Sequence, residues 1–268
     1  MRAHALLCRK LLTGSSPLCA CFPLFSSSPP RQLPSHVLDF GTCLRERGFA
    51  FVPEFGREFG LEFIGIMGEY IAKCKKQRIA GGVEQFALPQ KGPSVWSASL
   101  RAKWHALVKK LALHLGVESE QLHLHVQDEK LLVAVRQKGE QAPHFDRDDT
   151  ADKLLQVYTV ILYLSDRVDS TAFPQFKLSE FALPEFDAHD NVLNQPALRA
   201  TVERGLLDKS RYDRWPVRIG DMALFTQATM HFGTKNNSLH ERMALFSVLT
   251  PFEEKRQDDN QIYTYVRV

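Results

Sequence analysis

The stretch 141–148 reads Gln-Ala-Pro-His-Phe-Asp-Arg-Asp and places His144 two residues before Asp146. Residues i and i+2 of a β-strand point to the same face, so these two side chains can be directed at one atom. His231, much later in the chain, can supply a third ligand from a distant strand. Two imidazoles and one carboxylate on one face leave coordination positions open, which suits non-haem Fe(II). The spacing therefore predicts a metal site.

Strand-like runs surround these three residues. Tyr158–Ser165 follows the first two ligands, and Trp215–Phe225 precedes His231 as two strands joined by a turn at Gly220-Asp221. Arg242–Thr250 reads as a further strand with an arginine at its start. A guanidinium group in that place can hold a carboxylate through two parallel, charge-assisted hydrogen bonds.

This order of ligands, strands and arginine resembles the iron- and 2-oxoglutarate-dependent dioxygenases, particularly their prolyl-hydroxylase and phytanoyl-CoA-hydroxylase-like branches, over residues 120 to 250. The resemblance implies a double-stranded β-helix (jelly roll). It also implies Fe(II) as the metal, with 2-oxoglutarate and O2 as co-substrates. The iron ligands that it implies are His144, Asp146 and His231.

The resemblance also assigns the co-substrate site. Arg242 matches the arginine that holds the distant carboxylate of 2-oxoglutarate, and Tyr163 matches a prolyl-hydroxylase tyrosine that hydrogen-bonds the co-substrate carboxylate. Thr159, four residues before Tyr163, shares its face of the strand and is a further candidate. Two departures leave the branch open. Asp169–Pro174 stands where prolyl hydroxylases have a Gly-Gly segment, and the eleven-residue step from His231 to Arg242 is closer to the phytanoyl type.

The implied activity is hydroxylation of a substrate C–H bond, coupled to release of succinate and CO2 from 2-oxoglutarate. Asp146 favours oxygenation, because halogenating relatives replace this carboxylate with a small residue. One alternative is a non-catalytic binding module on the same jelly-roll scaffold. The other is a metal-dependent, cupin-like enzyme that does not use 2-oxoglutarate, for which His123 and His125 form a rival ligand pair.

The region before these strands has helical periodicity. Apolar residues recur at three- and four-residue steps from Glu54 to about Gln77, and again from Ser97 to Leu115. Gly81-Gly82 and the segment from Pro89 to Pro93 indicate a loop between the two helices. Helices followed by runs of strands predict an α+β fold with the N-terminal helices packed on one face of the sheet.

The body of the chain, 39–268, is predicted to form a single domain with helical support at 54–118 and a β-helix core at 120–250. Strands are predicted in this core at Leu122–Val126 and Leu131–Arg136. The stretch 183–214 interrupts the strand pattern, because it is polar and contains two prolines and one helical segment at 197–207. Two interpretations apply to such an insertion, a lid over the metal site or a solvated surface excursion.

The first 38 residues differ in composition from the rest. They contain four Lys and Arg residues, many serines and no acidic residue. This composition is typical of an organellar transit peptide, with the mitochondrion favoured. The alternative is a disordered tail without a targeting signal, on a cytoplasmic protein.

Charge and cysteine content restrict the partners. Without the leader, the chain has 30 Lys and Arg against 31 Asp and Glu, which favours neither nucleic acid nor an anionic membrane. No apolar run approaches the roughly 20 residues that a membrane span requires. Cys43 and Cys74, the cysteines outside the leader, have no metal-type spacing. The expected substrate is a small molecule or a protein side chain, and the sequence does not indicate the oligomeric state.

Overall fold

A computed structural model of the protein describes residues 40–73, 76–79, 83–87, 96–117, 125–134, 137, 139–146, 157–166, 168–180, 205 and 207–250. The predicted leader (1–38) lies outside the described residues, as do His123, Cys74 and most of the predicted insertion at 183–214. Within the described part of the chain, no helix is both long and apolar enough to cross a bilayer.

The described helices are α1 (Phe40–Arg47), α2 (Arg57–Lys73) and α3 (Ala98–His114). The two predicted helices correspond to α2 and α3 and are confirmed. Helix α3 begins at the expected place because Ser97 caps it, with its hydroxyl accepting a hydrogen bond from the Leu100 backbone N–H at 3.2 Å. Helix α2 ends before the predicted Gln77, because Lys76 already belongs to a strand.

Antiparallel sheets make up the rest of the described structure. The strands are β1 (Phe49–Val52), β2 (Lys76–Ile79), β3 (Val83–Ala87), β4 (His125–Ala134), β5 (Tyr158–Tyr163), β6 (Val168–Asp169), β7 (Thr171–Pro174), β8 (Tyr212–Asp213), β9 (Pro216–Val217), β10 (Met222–Thr226), β11 (Phe232–Gly233) and β12 (Arg242–Thr250). The large sheet has seven strands in the order β1-β10-β5-β12-β4-β3-β2, and the smaller sheets have the orders β11-β7-β8 and β6-β9.

Two strands that were not predicted from the sequence lie between the two predicted helices. Strands β2 and β3 pair with each other, and β3 pairs with β4 from Val83↔Ala134 to Ala87↔Lys130. Gly81-Gly82 and 89–93, on which the loop was predicted, lie outside the described residues, whereas main-chain pairing with a distant strand selects the strand conformation of 83–87. The hairpin extends the large sheet at its edge.

Strand β4 is one continuous strand where two were predicted. Glu129, which lies between the two predicted strands, is within β4 and is 4% exposed. Its carboxylate oxygen lies 2.6 Å from Nε2 of His105 on α3, so a partner on the helix accommodates the buried acid. The polar run therefore does not interrupt the strand.

One face of the large sheet packs against the helices, as predicted. Leu162, Leu224 and Leu245 on this face join Trp104 and Leu111 of α3 in one apolar cluster. The indole Nε1 of Trp104, which is fully buried, donates a hydrogen bond of 2.7 Å to the hydroxyl of Ser247 on β12. The helices thus hold the large sheet from outside and leave its other face free to form the site.

The opposite face of the large sheet faces the smaller sheets. Ile161, Phe225 and Phe246 from the large sheet cluster with Phe173 of β7 and Trp215. The predicted jelly roll is therefore confirmed, and its interior lies between the large sheet and the smaller sheets. Tyr212–Asp213, the end of the predicted insertion, is strand β8 and pairs with β7.

Candidate metal centre

His144 and His231 lie opposite each other at one end of the interior. Their backbones exchange two hydrogen bonds, from His144 N to His231 O and from His231 N to His144 O, each 2.9 Å long. A residue pair that exchanges both bonds places its two side chains on the same face. Their imidazole centroids are 4.6 Å apart.

Asp146 completes a cluster with these two histidines. Its Oδ1 lies 3.5 Å from Nε2 of His231 and 3.8 Å from Nε2 of His144. The three candidate ligand atoms all lie within 4.8 Å of one another, and each residue is 5% exposed. Atoms at this separation can share one ion at the metal–ligand distances of about 2.0–2.2 Å that are usual for histidine and carboxylate ligands.

Backbone carbonyls select the same tautomer of the neutral ring for both imidazoles. Nδ1 of His144 donates to the carbonyl of Ala142 at 2.9 Å, and Nδ1 of His231 donates to the carbonyl of Thr229 at 3.0 Å. Because a carbonyl only accepts, each Nδ1 carries a proton, and in the neutral ring the lone pair is on Nε2, the nitrogen that lies near Asp146. Burial, together with the neighbouring His231, lowers the pKa of His144 to about 4, which keeps this imidazole neutral.

Thr159 orients the carboxylate of Asp146. Its hydroxyl donates a hydrogen bond of 2.8 Å to Oδ2, which leaves Oδ1 facing the histidines. Thr159 was expected to share a strand face with Tyr163, and it does, but its hydroxyl contacts the carboxylate of Asp146. We therefore assign it a supporting role at the metal cluster.

Aromatic rings enclose the imidazole of His231. The ring centroid of Phe225 lies 4.4 Å from that of His231, and the ring centroid of Phe173 lies 6.4 Å from it. Both phenylalanines are fully buried. This apolar wall restricts the rotation of the imidazole and keeps water from that side of the cluster.

A cavity of about 70 Å³ adjoins the cluster and extends between the sheets. His144, Asp146 and His231 line one part of it, and Arg242 and Tyr163 also line it. Its apolar wall is contributed mainly by strands β4, β5, β10 and β12, through Leu132, Ile161, Phe225, Ala244 and Phe246. The fold therefore brings the three predicted ligands, the predicted arginine and the predicted tyrosine to one cavity.

Arg242 is a buried cation whose hydrogen-bond acceptors are neutral. Its Nη1 donates to the backbone carbonyl of Asp169 at 3.0 Å and to the hydroxyl of Thr234 at 2.6 Å. Burial lowers the pKa of this guanidinium, while Tyr163 and Asp169 raise it. No carboxylate among the described residues forms an ion pair with it within 4.0 Å. A buried guanidinium that is not directly paired with a carboxylate is costly, so the arrangement favours an anionic ligand.

Tyr163 presents a hydroxyl in the same cavity. Its oxygen accepts a hydrogen bond of 3.1 Å from the backbone N–H of Thr171, so its own proton remains available for donation. The ring is 1% exposed, and burial raises the pKa of the phenol. Tyr163 therefore stays protonated and can act as a hydrogen-bond donor.

Two residues of this region were not found from the sequence. Thr234 links Arg242 to the backbone, because its hydroxyl accepts from Nη1 and donates to the carbonyl of Ser170 at 2.8 Å. Gln141 lines the cavity, and its Oε1 accepts a hydrogen bond of 2.8 Å from the Gly233 N–H. Neither contact could be predicted from a repeating pattern in the sequence, because each joins segments that are distant in the chain or irregular in structure.

Only His125 of the rival histidine pair lies among the described residues, since His123 lies outside them. Among the described residues, the group able to hold a metal consists of His144, Asp146 and His231. His125 lies at the start of β4, paired with Thr250, and is not a member of this group.

Known structures identify the architecture. No protein-family model matches the sequence, and no curated protein matches it. Among solved structures, the epimerase SnoN in complex with Fe3+, alpha-ketoglutarate and nogalamycin RO has a TM-score of 0.57 at 17% identity, over 87% of this chain and 96% of SnoN. This chain has the fold of the 2-oxoglutarate-dependent iron oxygenases.

Two further solved structures have the same fold. HygX from Streptomyces hygroscopicus, solved with nickel and 2-oxoglutarate, has a TM-score of 0.54 at 17% identity, over 87% of this chain and 97% of HygX. The carbocyclase SnoK from nogalamycin biosynthesis has a TM-score of 0.57 at 19% identity, over 81% of this chain and 83% of SnoK. At these identities the comparison establishes the shared oxygenase fold, while the assignment of residues rests on the geometry described above.

Proposed function

We propose that the protein is an Fe(II)- and 2-oxoglutarate-dependent oxygenase, with His144, Asp146 and His231 as the metal ligands. The observation that carries this proposal is the convergence of three correctly prepared ligand atoms beside a cavity. In the neutral form of each imidazole the lone pair is on Nε2, because Nδ1 donates to a carbonyl, and Oδ1 of Asp146 is presented because Oδ2 accepts from Thr159. Two histidines and one carboxylate with open positions suit Fe(II) better than a closed structural zinc site.

Arg242 and Tyr163 are the proposed residues for 2-oxoglutarate. The buried guanidinium lines the cavity without a paired carboxylate among the described residues, and a dicarboxylate would supply the missing negative charge. The phenol proton of Tyr163 adds a neutral donor in the same cavity. The donor set therefore fits a carboxylate at some distance from the metal.

When bound, Fe(II) and 2-oxoglutarate supply oxidation of a substrate C–H bond by O2, with release of succinate and CO2. The residues of this chain orient the ligands, neutralise the co-substrate and keep the site dry. We propose hydroxylation of a small molecule or a protein side chain as the outcome. Asp146 supports this proposal, because its carboxylate completes the ligand set and leaves no place for a halide.

The test is a titration of 2-oxoglutarate into anaerobic Fe(II)-loaded protein, followed by measurement of succinate after O2 is admitted. We expect 2-oxoglutarate to bind only with the metal site intact, and succinate to form slowly without a primary substrate. H144A and H231A should abolish both, with circular dichroism confirming that the variants fold. Iron binding without 2-oxoglutarate binding would indicate the cupin-like alternative, and the absence of both would indicate a binding module.

A further inference from the structure

Gln141 is a polar cavity residue to which no role has been given above. It is half-buried and lines the same cavity as Arg242 and the metal cluster. We infer that Gln141 is a further co-substrate-binding residue, an inference that rests on the proposed function. Its carboxamide donates a hydrogen bond to the carboxylate of 2-oxoglutarate that Arg242 holds.

The carboxamide of Gln141 has a fixed orientation. Its backbone N–H donates to the Gly233 carbonyl at 2.9 Å, and its side-chain Oε1 accepts from the Gly233 N–H at 2.8 Å. Because the Gly233 N–H requires an acceptor, the oxygen of the carboxamide faces Gly233. The two N–H bonds of Nε2 are then left without a hydrogen-bond partner among the described residues. They are the groups that Gln141 can offer to a ligand in the cavity.

Gly233 places this carboxamide at the end of the cavity where the other donors are anchored. Its register partner on β7 is Thr171, whose N–H holds the hydroxyl of Tyr163. The next residue, Thr234, holds the guanidinium of Arg242. The carboxamide of Gln141, the phenol of Tyr163 and the guanidinium of Arg242 are thus all held by β11 or by residues adjacent to it.

The absence of a side chain at Gly233 makes this arrangement possible. A Cβ atom at position 233 would lie 2.5 Å from Oε1 of Gln141 and 3.2 Å from its Cδ. The carboxamide is the flexible end of a side chain, so an alanine would displace it rather than disrupt the fold. G233A is therefore a means of moving the Gln141 carboxamide while leaving residue 141 unchanged.

The test is calorimetric binding of two keto acids to anaerobic Fe(II)-loaded protein. The probes are 2-oxoglutarate and 2-oxopentanoate, which has the same carbon chain without the distal carboxylate. A hydrogen bond to a charged group is worth about tenfold in Kd or more, so Q141L should raise the Kd for 2-oxoglutarate by about that factor. The Kd for 2-oxopentanoate should be unchanged, because that probe lacks the group that Gln141 contacts.

Further variants separate direct contact from structural damage. G233A should weaken 2-oxoglutarate binding as much as Q141L does, and the double variant should show no additional loss, because both remove one interaction. Q141E, which retains the acceptor for Gly233 but turns a carboxylate toward the ligand, should weaken binding more than Q141L. Q175L is the matched control, because Gln175 is exposed and bonds to Asp213 outside the cavity.

Two results would overturn the inference. Equal weakening for both keto acids would mean that Gln141 only supports the structure, and no weakening for either would mean that it does not contact the co-substrate. Failure of the wild-type protein to bind 2-oxoglutarate would instead overturn the proposed function, so the two failures are distinguishable.

Discussion

The hydroxyl of Thr159 donates a hydrogen bond of 2.8 Å to Oδ2 of Asp146, joining strand β5 to the segment that carries two of the metal ligands. This bond uses the carboxylate oxygen that faces away from the histidines. A carboxylate held at one oxygen has less rotational freedom to lose when its other oxygen binds a metal ion. Thr159 therefore prepares Asp146 for monodentate coordination.

We expect T159V to weaken Fe(II) binding by about 10- to 100-fold, the usual effect of removing a hydrogen-bond partner of a metal ligand. Valine preserves the volume and the β-branched shape, so the fold should be retained. The affinity can be measured by competition with a chromogenic chelator under anaerobic conditions. T159S, which keeps the hydroxyl, should recover most of the affinity. An unchanged affinity in T159V would remove Thr159 from this role.

Thr234 has a comparable relationship to Arg242. Because Nη1 of the arginine is committed to Thr234 and to the carbonyl of Asp169, the remaining guanidinium hydrogens are left for a ligand. We expect T234V to raise the Kd for 2-oxoglutarate by about tenfold, in line with loss of one hydrogen bond to a charged group. The Kd for Fe(II) should not change. T234S is the conservative control, and weakened iron binding in T234V would point to a general disturbance of the site.

The turn that starts strand β10 depends on a glycine. Gly220 has φ +95°, a conformation that other residues rarely adopt, and a Cβ there would collide with the backbone of Arg57. We expect G220A to lower the free energy of unfolding by roughly 1–3 kcal/mol or more, from backbone strain alone. Denaturant unfolding would measure the loss.

G65A is the matched control for this prediction. Gly65 lies on an exposed face of α2, and a Cβ at this position would meet no atom within 4 Å. The same substitution should therefore stabilise the protein by about 0.5–1 kcal/mol, because alanine is the better helix former. Equal effects at both positions would contradict the strained turn at Gly220.

The sequence was sufficient to predict the helices and strands whose apolar side chains recur at a regular spacing. Strands β5 and β12 lie inside the predicted segments, and the turn predicted at Gly220-Asp221 is present. The cluster of His144, Asp146 and His231 could be proposed because the short motif and the later histidine lie in strand-like surroundings. Their shared position follows from the mutual hydrogen bonds of the two histidines.

The features missed from the sequence depend on contacts between distant segments. The β2–β3 hairpin is selected by main-chain pairing to β4, and the polar middle of β4 is maintained by the His105–Glu129 contact. The contacts of Gln141 with Gly233 and of Thr234 with Arg242 likewise join residues from different segments. Such contacts produce no repeating pattern in the sequence, so only a three-dimensional structure reveals them.

Metal binding should stabilise the folded protein in a way that depends on the proposed ligands. An ion that binds only the native state adds RT ln(1 + [L]/Kd), about 2.7 kcal/mol at a concentration 100 times the Kd. We expect Ni²⁺, a redox-stable substitute for Fe(II), to raise the Tm of the wild-type protein by several degrees. H231A should lose this shift, because one Nε2 ligand is removed. H125A should keep it in full, since His125 lies outside the metal cluster. A shift that survives in H231A and disappears in H125A would transfer the metal site to the His123/His125 pair, and with it remove the basis for oxygen chemistry at the cavity.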